Sequence, residues 1–178
     1  MCTEFKFDGF DLKSPPRTGR MWFCRAAAMV GLGEGDVTAP MIENLFSVCI
    51  VRHPVTWLES VYEKTLLMPE CPDSLVLLQK IARNTRDFQH FMGEIPKYPG
   101  IVEEAFQNHD TVTAIRLEDF PYSAMSIFET AGVPEDVVKM VMVAPKLNYR
   151  MWRKTVDHDQ YRAIVKSEKN FCEKYDYF

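Results

Sequence analysis

Two short stretches of the chain concentrate side chains able to hold phosphate groups. The first is Ser14-Pro15-Pro16-Arg17-Thr18-Gly19-Arg20-Met21-Trp22. A glycine at a helix entrance lets the backbone approach an anion closely. The unpaired N–H groups and positive dipole end of the helix favour negative charge there. Arg17 and Arg20 add positive charge, and Thr18 adds a hydroxyl donor. The second stretch is Val51-Arg52-His53-Pro54, followed by Ser60 and Tyr62. An arginine grips a phosphate through two N–H groups. Ser60, eight residues beyond Arg52, falls about two helical turns later, where it can face back toward the strand end.

Elements to position these residues are legible on either side of each stretch. A short strand is expected over about Phe10–Lys13, and a helix from Arg20 whose apolar side carries Trp22, Phe23, Ala26, Ala27 and Val30. Phe46-Ser47-Val48-Cys49-Ile50-Val51 reads as a strand buried on both faces. Pro54 opens a helix with Trp57, Leu58, Val61 and Tyr62 at helical spacing. Helices are expected over 74–83, 87–95, 121–131, 135–142 and 157–174, and a strand over 110–117, with an irregular basic stretch over 144–156. This alternation predicts an α/β fold of three layers, a central parallel sheet flanked by helices, formed by residues 1–178 as one domain. In such sheets ligands bind at the carboxyl ends of the strands, and both phosphate-holding stretches follow such ends.

Composition sets the class of protein. The 178 residues are 47% hydrophobic and 26% charged, as in globular chains able to bury a core. A net charge of -4 gives no general attraction for nucleic acid, so a phosphate ligand needs a local cationic cluster. Apolar runs fall short of the ~20 residues that span a bilayer, and the first residues do not form a secretory leader; the expected location is cytoplasmic, with no membrane partner. The five scattered cysteines lack metal-ligand spacing, so no metal is expected; Cys24 and Cys49 read as core residues.

The first stretch departs from the Walker A pattern: Arg20 stands where its Lys would be, and Met21 where a Ser or Thr would hold Mg²⁺. That disfavours a magnesium-dependent small-metabolite kinase. As an isolated signal, the stretch is equally a Pro/Gly turn before a core helix.

Taken in order, the two stretches resemble the sulfotransferases that use 3′-phosphoadenosine 5′-phosphosulfate (PAPS). Pro16-Arg17-Thr18-Gly19-Arg20-Met21-Trp22 is similar to that family's PKSGTTW loop. Val51-Arg52-His53-Pro54 with Ser60 and Tyr62 is similar to its VR(D/N/H)P…SxY motif, in the RHP form common in carbohydrate sulfotransferases. Leu117-Glu118-Asp119-Phe120, Gly132-Val133-Pro134 and Lys174-Tyr175-Asp176-Tyr177 resemble further family segments. The resemblance implies a P-loop NTPase-like (sulfotransferase) topology, PAPS as cosubstrate with 3′-phosphoadenosine 5′-phosphate (PAP) as product, and a small-molecule or carbohydrate acceptor. By position it assigns Arg17, Thr18, Gly19, Arg20 and Met21 to the phosphosulfate loop, Trp22 to the adenine, and Arg52 with Ser60 to the 3′-phosphate. Arg153-Lys154 takes the part of the family's late basic segment. The chain departs from the family in having Arg17 for lysine, Arg20 and Met21 for paired threonines, and no histidine over residues 31–45.

Sulfuryl transfer to a hydroxyl calls for a general base, usually His or Glu. His53 belongs to the phosphate turn, while His90, His109 and His158 read as solvated. Asp36 and Glu43 lie in the appropriate stretch, and Glu43 is the first choice, against the default of an exposed carboxylate. Glu118 and Asp119 read as loop-holding or capping residues. A non-catalytic protein holding a 3′,5′-bisphosphate nucleotide is the alternative that the missing histidine favours.

Overall fold

Phe10, Leu12, Val48 and Ile50 are fully buried, and their two-residue spacing puts them on one face of a small sheet. The structure, a computed structural model, describes residues 3–7, 10–15, 18–32, 46–67, 75–106, 113–143 and 156–178. The sheet has the order β1 (Thr3–Phe7), β2 (Phe10–Ser14), β3 (Phe46–Val51), β4 (Thr113–Arg116). β2, β3 and β4 are parallel, as expected; β1 pairs antiparallel with β2, with Phe7 opposite Phe10. The edge strand is an addition to the expected sheet. Its signal is short: Phe5 and Phe7 alternate with charged residues ahead of Asp8-Gly9, a dipeptide that favours two-residue hairpins.

The chain forms two compact units that interleave along the sequence. The sheet unit comprises Cys2–Val51 and His109–Arg150; the helical unit comprises Arg52–Asn108 and Met151–Phe178, with Met1.

In the sheet unit, α1 (Arg20–Met29), α6 (Tyr122–Thr130) and α7 (Glu135–Val138) contribute to the core with the strands. Phe23 meets Phe10 edge-on at 5.9 Å and Phe128 at 5.1 Å, while Phe46 stacks on Phe10 at 5.6 Å. Residues 48–51 of β3 are all buried, which accounts for the unbroken apolar run. Cys49 is buried, and Cys24 packs half-buried against the core.

The helical unit contains α2 (Pro54–Leu67), α3 (Val76–Asn84), α4 (Phe88–Glu94), α5 (Ile101–Phe106), α8 (His158–Ser167) and α9 (Lys169–Lys174). Its core includes Trp57, Leu58, Phe91, Phe106 and Phe171. Phe106 lies 5.4 Å from Trp57 and 5.0 Å from Phe171. The single helix expected over 157–174 is two helices, broken at Glu168. At the break Gly100 N donates to Ser167 O, and the Glu168 side chain turns inward to α5. α5 itself, six residues long, is too short to have a readable periodicity.

Candidate functional site

The two phosphate-holding stretches are organised in different ways. In the sheet unit, β2 leads into α1 through Gly19, whose φ of +87° lies in the left-handed region. Gly19 O accepts from Trp22 N at 3.0 Å and Phe23 N at 3.2 Å. No side chain caps this helix, and its first turn has no acidic residue. Its positive dipole end is therefore not offset by a neighbouring carboxylate of its own first turn.

Thr18 is fully buried, and its hydroxyl donates to Pro15 O at 2.9 Å, closing the turn. A Cβ on Gly19 would collide with Leu117 Cδ1. Glycine at this position is thus accounted for both by its dihedral and by close packing. Trp22 is 7% exposed and packs on Phe120 at 4.7 Å; its indole N–H is buried without an acceptor among the described residues. Arg20 is half-buried, and Met21 is exposed. The loop therefore rests on the segment after β4, where Arg116 Nε meets Asp119 Oδ2 at 2.7 Å and Ser123 Oγ donates to Arg116 O. Asp119 holds that loop, the role expected of it.

The second stretch opens the helical unit. Arg52 directly follows β3. His53 stands at the entrance of α2, with Pro54 at the first helical position. His53 Nδ1 accepts from Val55 N at 3.3 Å, so the ring caps the helix. With Nδ1 an acceptor, the proton of the neutral ring sits on Nε2, which lies 3.1 Å from Tyr161 Oη. Thr56 Oγ1 donates to His53 O and accepts from Arg52 Nε at 3.1 Å, orienting the guanidinium plane. Ser60 is buried two turns along α2. Arg17, Glu43, Arg153 and Lys154 lie outside the described residues.

Two polar features of the helical unit carried no readable signal. Tyr161 stacks on His53 at 5.5 Å, 108 positions away in sequence. Glu168 is 1% exposed, and its Oε2 accepts from Val102 N at 3.2 Å and Glu103 N at 3.3 Å. It caps α5 from a distant part of the chain. Its Oε1 is buried without a donor among the described residues. Burial pushes the Glu168 carboxyl up to about 7, with the backbone donors opposing and the Glu103 charge assisting. Burial, with help from the Glu168 charge, pushes the Cys172 thiol up to about 11. Cys172 therefore stays a thiol at neutral pH.

Compared with known protein families, with curated proteins and with solved structures, the chain has no match in any of the three. Among the described residues, no helix is long and apolar enough to cross a membrane.

Proposed function

We propose that this chain binds PAPS and transfers its sulfuryl group to a hydroxyl or amine of a small-molecule or carbohydrate acceptor. The supporting observation is the register of the sheet. β2 and β3 are adjacent and parallel, with Lys13 opposite Cys49, so the chain leaves both strands at the same, carboxyl, end of the sheet. The phosphosulfate-like loop follows β2, and Arg52 follows β3. Carboxyl ends of neighbouring parallel strands are where such folds hold their ligands. A P-loop NTPase-like topology is part of the same proposal.

The family resemblance assigns the 5′-phosphosulfate to the loop with Arg17 and Arg20, and the 3′-phosphate to Arg52 and Ser60. The resemblance assigns Arg153-Lys154 to the same phosphate. The bond between sulfur and the bridging oxygen breaks as a new bond forms from sulfur to the acceptor oxygen or nitrogen. PAP leaves with the bridging electron pair, whose charge the loop stabilises. The acceptor's proton passes to the Glu43 carboxylate.

Isothermal titration with PAP tests the nucleotide site. Saturable binding is expected, weakened about 10–100-fold by Arg52→Ala and less by Arg52→Lys, which keeps the charge but loses the planar fork. Absence of PAP binding to the folded wild-type protein would overturn the reading.

The non-catalytic reading, in which the chain only holds a 3′,5′-bisphosphate nucleotide, draws on a specific observation. Thr18 already donates to Pro15, and Trp22 is part of the core, so neither side chain stands ready at the loop surface. PAP binding without transfer from PAPS to a broad acceptor panel selects this second reading; turnover selects the first.

A further inference from the structure

We propose that an open depression along α8 is a binding site for a small aromatic anion, with Arg162 and Lys166 holding its charged head and Tyr161 and Phe178 its ring. The depression, about 410 Å³ and open to solvent, lies within the helical unit. Arg162 and Lys166, four residues apart on α8, line it together with Lys169, the first residue of α9. Lys169 is offset by Glu173, 3.4 Å away. Arg162 and Lys166 are exposed and make no ion pair among the described residues. Two exposed cations thus border the depression on a chain whose net charge is -4.

The rest of the wall is apolar: Val165, the Lys stems and the two rings. Phe178 is 71% exposed. Tyr161 is 40% exposed, yet its ring is fixed from behind, stacked on His53 and hydrogen-bonded to His53 Nε2. His53 is itself tied to the backbone of α2. A pre-set aromatic wall lowers the ordering cost of binding. An inorganic anion would leave these rings in water, and a neutral arene would leave the two cations without a counter-charge. An arene bearing a phosphate, sulfonate or carboxylate satisfies both. The inference is independent of the nucleotide reading.

Titration with 2-naphthyl phosphate, followed by its own fluorescence, tests it. Saturable binding with a Kd of about 10–500 µM is expected, the range for an open site whose charges are water-exposed. Inorganic phosphate and 2-naphthol should each bind at least about tenfold more weakly, since each keeps half the contacts. Arg162→Glu/Lys166→Glu should abolish binding, Arg162→Gln/Lys166→Gln should weaken it about tenfold, and Tyr161→Ala severalfold. Arg52→Lys, which tests the nucleotide site, should leave 2-naphthyl phosphate binding unchanged. Wild-type affinity in the folded Glu or Gln double variants would overturn the proposal. So would sedimentation showing a dimer that the Glu double variant dissolves, because the face would then be covered by a second copy of the chain.

Discussion

The helices of the sheet unit and those of the helical unit begin differently. In the sheet unit, α1, α6 and α7 start at Gly19, Pro121 and Pro134 with no side chain capping any of them. Their entrances are set by backbone-restricting residues and by packing: Gly19 against Leu117, Trp22 against Phe120. In the helical unit, α3 and α9 likewise lack side-chain caps, but the other four described helices begin under them. His53 caps α2, Asp87 caps α4 through His90 N at 2.8 Å, Glu168 caps α5, and Asp157 caps α8 through Asp159 N and Gln160 N. One unit is therefore sensitive to shape at its helix entrances, and the other to charge and hydrogen bonding.

The sharpest way to break this contrast is at Gly19. Gly19→Val should destabilise the protein by about 2–4 kcal/mol in urea unfolding, combining a left-handed dihedral with a side chain forced into Leu117. Gly19→Ala should cost less, and its cost should shrink further in a Leu117→Ala background, where only the dihedral term remains. Equal costs in both backgrounds would show that packing does not set this entrance.

Glu168→Gln probes the other unit and should act in the opposite direction. The folded-state pKa of Glu168 is raised from 4.5 to about 7, so its favourable neutral form is fully present below the unfolded value. That contribution is lost as pH rises through the folded value. Gln keeps an acceptor for Val102 and Glu103 without the buried charge. The variant should be more stable than wild type by up to about 3 kcal/mol near pH 8, with the difference fading toward about pH 4. Parallel urea midpoints across that range check this. A difference that does not change with pH would remove the charge from the account.

Asp157→Ala carries the smallest expected effect, a loss of about 1 kcal/mol read from the same urea midpoints at neutral pH. The loss should largely return with Asp157→Asn, which retains a capping oxygen. If both substitutions are silent, the contrast rests on His53, Asp87 and Glu168 alone.

Local patterns in the chain were sufficient for much of the fold. The apolar run at 46–51 stood out because β3 is buried on both faces, and Pro54 marked the start of α2 because a missing N–H costs nothing at the first helical position. Gly19 was legible as a special backbone position, since a left-handed turn at a helix entrance favours glycine. Its sequence neighbours did not disclose why the space around it is closed: Leu117 lies 98 residues along the chain. Trp22 illustrates the same boundary. Its helical phase allowed either a base-stacking face or a core position, and only the approach of Phe120 and the strands put it in the core. Glu168 and Tyr161 acquire their roles entirely from residues 65 and 108 positions away. Propensity, periodicity and capping act over a few residues and are written in the local sequence. Burial, and with it the ionisation of Glu168 and the support of Tyr161 by His53, depends on which distant segments exclude water from a side chain, and that is decided only when the chain has folded.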